Sequence, residues 1–288
     1  MHICILIPDK ADLKRYDDWQ DQAVLIEPLL AAHGLSVEWL PWTQSAPISA
    51  DLALPLMAWG YHRDLGRWYD QLDRWQGTRF LNPLSVLRWN TDKRYLLALQ
   101  QKGVAIVPTI FAQALDNAAL ADARSAFATP NLVIKPPVSA GSDQTWLLRD
   151  GAPCPPEALG GAMLVQPMMP AIASEGEYSL FWLAGEFAHA ILKRPANGDF
   201  RVQGQFGGQS QAIEPPAAAR ALAAATLQAI DGELLYARID MVGDGLGGYA
   251  LMEIELIEPW LSLDRTADGG KAFAAAIAAA VRQPASAG

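Results

Sequence analysis

Leu235-Tyr236-Ala237-Arg238-Ile239-Asp240-Met241-Val242 and Tyr249-Ala250-Leu251-Met252-Glu253-Ile254-Glu255-Leu256, separated by Gly243-Asp244-Gly245-Leu246-Gly247-Gly248, decide the fold of this chain. Two runs of alternating character around a glycine-rich turn predict an antiparallel hairpin. With Val242 opposite Tyr249, Arg238 falls opposite Glu253 and Asp240 opposite Leu251, so Asp240 is a diagonal neighbour of Glu253 on one face. Glu255 joins that face because strand side chains alternate with period two. The pairing holds only if neither strand bulges, since a one-residue slip exchanges the faces. Three carboxylates and an arginine on one surface fit two readings. One is a Mg²⁺ site, because Mg²⁺ takes carboxylate, water and phosphate oxygens. The other is a solvated face with a cross-strand Arg–Glu pair.

Upstream, Leu132-Val133-Ile134-Lys135 reads as a strand running into Pro136-Pro137-Val138-Ser139-Ala140-Gly141-Ser142. It delivers a lysine to a loop of small residues, where backbone N–H groups can approach an oxyanion while the ammonium adds charge. The loop does not fit GxxxxGK[ST], and by itself it also suits an ordinary surface turn. Nearer the N-terminus, an apolar run at 3–7 predicts a buried parallel strand. A helix over 20–33 ended by Gly34, strands at 37–40 and 52–56, and a helix over 65–75 complete an α/β lobe without GxGxxG. Asn82-Pro83-Leu84 marks a boundary, and Asn90-Thr91-Asp92-Lys93 supplies helix-starting residues. A strand is expected at 104–109, helices over 117–127 and 272–281, and a frayed tail at 283–288.

Composition narrows the class. A length of 288 residues can bury two or three lobes. The formal net charge of -9, without a long Lys/Arg cluster, argues against a nucleic-acid partner. Cys4 and Cys154 give neither a disulfide framework nor metal-type spacing and suit a reducing cytoplasm. The N-terminal residues show no secretory leader, and no apolar run reaches spanning length, so no membrane partner is expected.

From about Asn90 to Asp264, the order of motifs resembles the ATP-grasp enzymes, such as D-alanine ligase and glutathione synthetase. It runs through Lys93, Val133-Ile134-Lys135 with its loop, Leu164-Val165-Gln166-Pro167-Met168-Met169, Glu175-Gly176-Glu177-Tyr178-Ser179, Arg238-Ile239-Asp240 and Glu253-Ile254-Glu255. The resemblance implies an ATP-grasp fold of mixed α/β and α+β class. A pre-ATP-grasp α/β lobe would occupy 1–85, a central lobe with the phosphate loop 86–165, and a C-terminal lobe with the metal site 166–288. It also implies ATP and Mg²⁺ as cofactors. Lys93 and Lys135 would hold phosphate oxygens, with Ser139, Gly141 and Ser142 closing over them. Gln166, Pro167, Met168 and Met169 would form a hinge whose backbone reads adenine, and Glu177 or Glu175 would take the ribose. Asp240, Glu253 and Glu255 would ligate Mg²⁺. Arg238 would stabilise an acyl phosphate and the tetrahedral species after it, and Lys193, Arg194 and Arg201 would face phosphates or substrate. The implied reaction joins a carboxylate to an amine of a small amino-acid-like substrate, releasing ADP and phosphate; a homodimer is compatible with it.

Two departures from the family pattern stand out. Glu255 replaces the usual asparagine, and Leu256-Ile257-Glu258-Pro259-Trp260-Leu261 stands where many members have a small, Gly-containing substrate loop. With Trp59-Gly60-Tyr61-His62 and Arg88-Trp89-Asn90, they make the chain more similar to small ATP-grasp ligases of bacterial secondary metabolism, of the O-ureidoserine cyclo-ligase type that makes cycloserine. Trp59, Tyr61 and His62 are candidates for pocket lining or core, His189 for a satisfied core histidine, and 204–210 for a mobile flap. The readings left open are an intermolecular ligase, an intramolecular cyclo-ligase, a kinase-like enzyme and a non-catalytic nucleotide-binding module. The intact Lys93, Lys135, Arg238, Asp240, Glu253 and Glu255 set argues against the last.

Overall fold

The N-terminal apolar run becomes β1 (His2–Ile7), buried from Ile3 onward as expected of a central parallel strand. The helix α1 (Trp19–Ala31) leads to β2 (Ser36–Pro41), and β3 (Leu52–Leu54) completes a sheet of order β2-β1-β3. Gly34, at φ +74°, makes the left-handed exit from α1 that favours glycine. The next helix, α2 (Leu65–Arg74), starts at Asp64, whose carboxylate accepts from Arg67 N–H as an N-cap. This computed structural model describes residues 1–283; the expected frayed tail lies, from residue 284 on, outside the described residues.

Two helices follow, α3 (Leu84–Asn90) and α4 (Tyr95–Gln101). The first was not expected: Asn90 ends a helix rather than starting one. Residues 104–109 form no strand. They touch the last strand of the chain through an isolated bridge, Ile106 to Leu251, with Leu251 N–H donating to Ala105 O and accepting Val107 N–H through its own carbonyl. The central sheet has order β4-β7-β5-β6, built from β4 (Ile110–Ala112), β5 (Leu132–Lys135), β6 (Trp146–Leu148) and β7 (Met163–Pro167). It carries α5 (Asn117–Phe127), capped by Asp116.

After the short α6 (Ala171–Ser174) come β8 (Glu177–Leu183), β9 (Glu186–Arg194) and β10 (Gln209–Ile213), then α7 (Ala217–Gln228), β11 (Tyr236–Gly243), β12 (Tyr249–Glu255) and α8 (Lys271–Arg282). Its strands form an antiparallel sheet of order β10-β9-β8-β11-β12. Period-two alternation divides β8 cleanly. Leu180 and Trp182 enter one core with Ala219 and Ala223 of α7, while Phe181 and Leu183 enter another with Ile3, Ile5 and the α8 residues Phe273 and Ile277. The C-terminal sheet is thereby fixed on the first lobe. Among the described residues, no helix is long and apolar enough to cross a membrane.

Candidate active site

The hairpin forms, but in a different register from the bulge-free one. Gly243 rather than Val242 faces Tyr249, and a bulge leaves Met252 unpaired, so that Met241 pairs with Leu251 while Asp240 pairs with Glu253 and Arg238 with Glu255. In a regular ladder with Met252 paired, Asp240 would oppose Met252, and both glutamates would turn to the other face. The bulge puts the carboxylates directly across from Asp240 and Arg238.

The face is fixed by pairing on the other side of β11. Asp240 lies opposite Ser179, Arg238 opposite Phe181 and Tyr236 opposite Leu183. One end of this face is buried on the first-lobe core; the other carries charge. Buried polar side chains of α3 and α4, donating and accepting, hold the free edge of β12. Asn90 bonds Ile254 O and Leu256 N–H, and the Tyr95 hydroxyl bonds both N–H and O of Ile254. Asn82, fully buried, reaches Tyr236 O, Leu256 O and Leu235 N–H. The strand ends bearing Arg238 and Glu255 are thus clamped from outside the sheet.

Charges alternate across the face. Arg238 donates to Asp240 at 2.8 Å and also to Glu255. Lys193 bonds Glu177 at 3.0 Å and lies 3.7 Å from Asp240, which also accepts from the Ser179 hydroxyl. Lys93, buried, sits 3.1 Å from Glu253 and donates to Ser139 O. Burial disfavours the Asp240 carboxylate, but Arg238 and Lys193 outweigh it and hold its pKa below the ordinary range. Burial pushes Glu255 up, Arg238 opposes, and Glu253 and Asp240 add repulsion, leaving it at about 7. Lys135 stands apart. It is buried at the end of β5, and among the described residues it has neither an ion-pair partner nor a hydrogen-bonded acceptor. Burial depresses its pKa, against the pull of Glu253.

The loop after Lys135 has Gly141 at φ +61° and Ser142 at +64°, and Lys93 N–H donates to Pro137 O, which joins the two lysine-bearing segments. In the segment expected to form the hinge, the Gln166 side chain donates to the Thr109 hydroxyl, Met168 N–H is taken by Asn131 O, and Pro167 has no N–H. Only Met169 N–H in this segment has no acceptor among the described residues. Met168 and Met169 pack beside Val107, Ile172, Val202 and Val242. Glu177 is locked to Lys193, whereas Glu175 is exposed and makes no ion pair among the described residues. Between them Gly176 passes so close to β9 that a Cβ would stand 2.5 Å from Lys193 O.

The structure does not bring Arg201 or Arg194 into the charged cluster. Arg201 is paired with Asp199 at 2.9 Å and lies over the Phe206 ring at 3.6 Å, and Arg194 is exposed at the end of β9. The flap is more ordered than its glycines suggested: residues 204–206 form a 3-10 turn and 209–210 belong to β10. Gln205 reaches across to Gly141 O at 3.2 Å, so the flap touches the lysine-bearing loop. Tyr61 is core, packed on Trp68, and Trp59 stacks on Trp260. His189 stacks on Phe181 and its Nε2 bonds Leu261 O, but its buried Nδ1 has no partner among the described residues, so it is a packed histidine only half satisfied. His62, by contrast, lines a cleft of about 450 Å³ with Arg15, Arg63, Ser139 and Asp143. Nothing in the sequence around Arg15 and Arg63 marked them for that place.

Asp240, Glu253 and Glu255 do not converge as a closed metal cage; among the described residues no group of three potential ligands stands ready to hold an ion. Arg238 bridges Asp240 and Glu255, and Lys93 pairs with Glu253. As hard oxygen donors on adjacent strands they still fit Mg²⁺, which is commonly bound through one or two carboxylates with phosphate and water oxygens completing its shell.

Residues 4–82 match the family described as D-cycloserine synthetase DcsG, N-terminal domain. The cycloserine biosynthesis protein DcsG of Streptomyces lavendulae is 31% identical over 219 residues, 70% of this chain and 73% of that protein. A crystal structure of D-cycloserine synthetase DcsG superimposes with a TM-score of 0.83 at 26% identity, covering 97% of this chain and 100% of the other. The D-alanine–D-alanine ligase of Bacillus anthracis, complexed with ATP, superimposes at 0.67 with 15% identity, over 98% and 96% of the two chains.

Proposed function

Since the chain belongs to the DcsG family of ATP-grasp ligases, we propose that it activates a substrate carboxylate as an acyl phosphate and passes it to an amine, releasing ADP and phosphate. The observation that carries this reading is Lys135: a buried lysine at the base of a small-residue loop, whose ammonium has no ion-pair or hydrogen-bond partner among the described residues, beside a face of alternating cations and carboxylates. A buried cation without a partner is costly unless an anion completes it. Phosphate oxygens of ATP are that anion.

In this reading Lys93 and Lys135 bind phosphate oxygens, and Ser139, Gly141 and Ser142 close over them. Met169 N–H reads the adenine edge, with Met168 packing against the ring and Gln166 and Pro167 shaping the hinge. Glu175, free of ion pairs, takes the ribose hydroxyls in preference to Glu177. Asp240 with Glu253 and Glu255 would hold Mg²⁺, which when bound neutralises phosphate charge. Arg238 presents a planar fork to the developing oxyanion, as acyl transfer requires. Lys193 keeps Glu177 and Asp240 in place and lends positive potential, and Arg201, lying over Phe206 of the flap, remains a candidate for reaching the substrate. We assign the first lobe to residues 1–85, the phosphate-loop lobe to 86–165 and the metal-site lobe to 166–288.

The match to DcsG along almost the whole chain favours the intramolecular form, in which one small amino-acid-like molecule supplies both carboxylate and amine. Incubation with Mg·ATP and O-ureido-D-serine tests it. ADP release with a cyclic product and no second substrate supports the reading; ADP release only after adding a separate amine turns it to an intermolecular ligase. Nucleotide binding without turnover on a broad panel of amino acids contradicts both.

A further inference from the structure

Each carboxylate of the charged face has a cation: Asp240 and Glu255 share Arg238, Glu177 has Lys193, and Glu253 has Lys93. One acid beside them does not. Glu258, three residues beyond Glu255, has no Lys or Arg nitrogen at ion-pair distance among the described residues, and the only hydrogen bond to its carboxylate comes from its own backbone N–H. It is partly buried, within the electrostatic reach of Lys93, Glu253 and Glu255, and so adjoins the reaction face. Its position is fixed from the first lobe: the Trp59 indole N–H donates to Glu258 O at 3.1 Å. The same indole stacks on Trp260 at 5.9 Å and 18°, so one side chain of the first lobe holds both the backbone at Glu258 and the ring two residues on.

A partly buried carboxylate left without a counter-ion beside this paired face calls for a cation from outside. Resting on the ligase reading above, we propose that Glu258, held through its backbone by Trp59, receives the primary ammonium group of an amino-acid-like substrate and thereby orients its carboxylate toward Arg238. This assigns the segment 256–261 a role in selecting substrates with a free amine. Burial, with repulsion from Glu255, pushes the empty carboxyl well above its ordinary pKa, and an arriving ammonium relieves that.

The test is calorimetric titration of the full chain, loaded with Mg·ADP, with D-cycloserine and with isoxazolidin-3-one, the same ring without the amino group. Wild type is expected to bind D-cycloserine at least tenfold more tightly. Glu258→Gln should bring the two rings within about twofold of each other, at unchanged affinity for Mg·ADP, which also reports that the variant is folded. Trp260→Leu should lower the discrimination several-fold. Equal affinity of wild type for the two rings, binding of neither, or a Glu258→Gln protein that still discriminates tenfold overturns the proposal. Those outcomes with normal Mg·ADP binding leave the ligase reading standing, whereas a wild-type protein that fails to bind Mg·ADP removes that reading itself.

Discussion

Replacing Arg238 by Met removes the one guanidinium shared by Asp240 and Glu255 while keeping most of its volume. The side chains of Arg238 and Asp240 are 12% and 6% exposed, so their pair is buried, whereas Glu255 at 28% is partly screened. Breaking a buried pair by removing one partner costs about 3–5 kcal/mol; the screening of Glu255 and the remaining Lys193 put the expectation near the lower end, about 3 kcal/mol. At roughly 2–4 °C per kcal/mol for a chain of this size, Tm falls by about 6–12 °C. The pH dependence has a definite sign. Asp240, held low in the folded protein, contributes stability above its unfolded pKa and loses it as pH falls through the folded value. Glu255, raised from 4.5 to about 7, has the opposite sign: its contribution is present below 4.5 and is lost as pH rises through about 7. Without Arg238 both carboxyls move upward, so the variant's deficit is larger at pH 8 than at pH 5. Adding Glu255→Leu to Arg238→Met removes one of the stranded charges and recovers part of the loss. Differential scanning fluorimetry at the two pH values measures all of this. A Tm change under about 2 °C at pH 8, or a deficit equal at both pH values, refutes the buried-network account.

Lys135→Met should weaken Mg·ADP binding by about 10–100-fold, the range of a charge-assisted hydrogen bond, without lowering Tm, because the ammonium has no protein partner to lose; a fall in Tm above about 3 °C contradicts this. Asn82→Ala strands three buried backbone groups at the ends of β11 and β12 and should cost about 3–5 kcal/mol, at roughly 1–3 per stranded group with some relaxation, seen as a lower urea midpoint. Deleting Met252 removes the bulge residue but leaves Asp240 opposite Glu253 and Arg238 opposite Glu255, so both glutamates keep their face and turnover should survive at a tenth of wild type or more; a folded deletion variant without turnover contradicts the register argument. Cys4, fully buried with its thiol pushed up to about 12, and Cys154, also buried, should resist an aromatic disulfide reagent until the protein unfolds.

How far the sequence carried depended on the range of the interaction. Strand alternation placed Arg238, Asp240, Glu253 and Glu255 on one face, since that needs only period two. Their partners across the ladder escaped, because a single bulge residue, Met252, changes the register and no local preference announces it. The lysine at the end of β5 was legible from its strand and loop; that it, unlike Lys93, Lys193 and Arg238, lacks a partner among the described residues was not, for pairing is settled by segments up to 160 residues away, as between Lys93 and Glu253. Asn90 shows the opposite failure. Its type suggested a helix start, but its side chain is used to satisfy the edge of β12, a tertiary demand that overrides local preference. The 104–109 run has strand composition yet makes one bridge only, since Asn90 and Tyr95 already occupy much of the edge it would join.

The claim that stands over the rest is phosphoryl transfer to a carboxylate at this face. Its most direct test is turnover of O-ureido-D-serine carrying ¹⁸O in its carboxylate with Mg·ATP, followed by mass analysis of the phosphate released. An acyl phosphate predicts one ¹⁸O in the phosphate, with ADP as the nucleotide product, and loss of both in Glu253→Ala. AMP as the product, or phosphate without the label, contradicts the account.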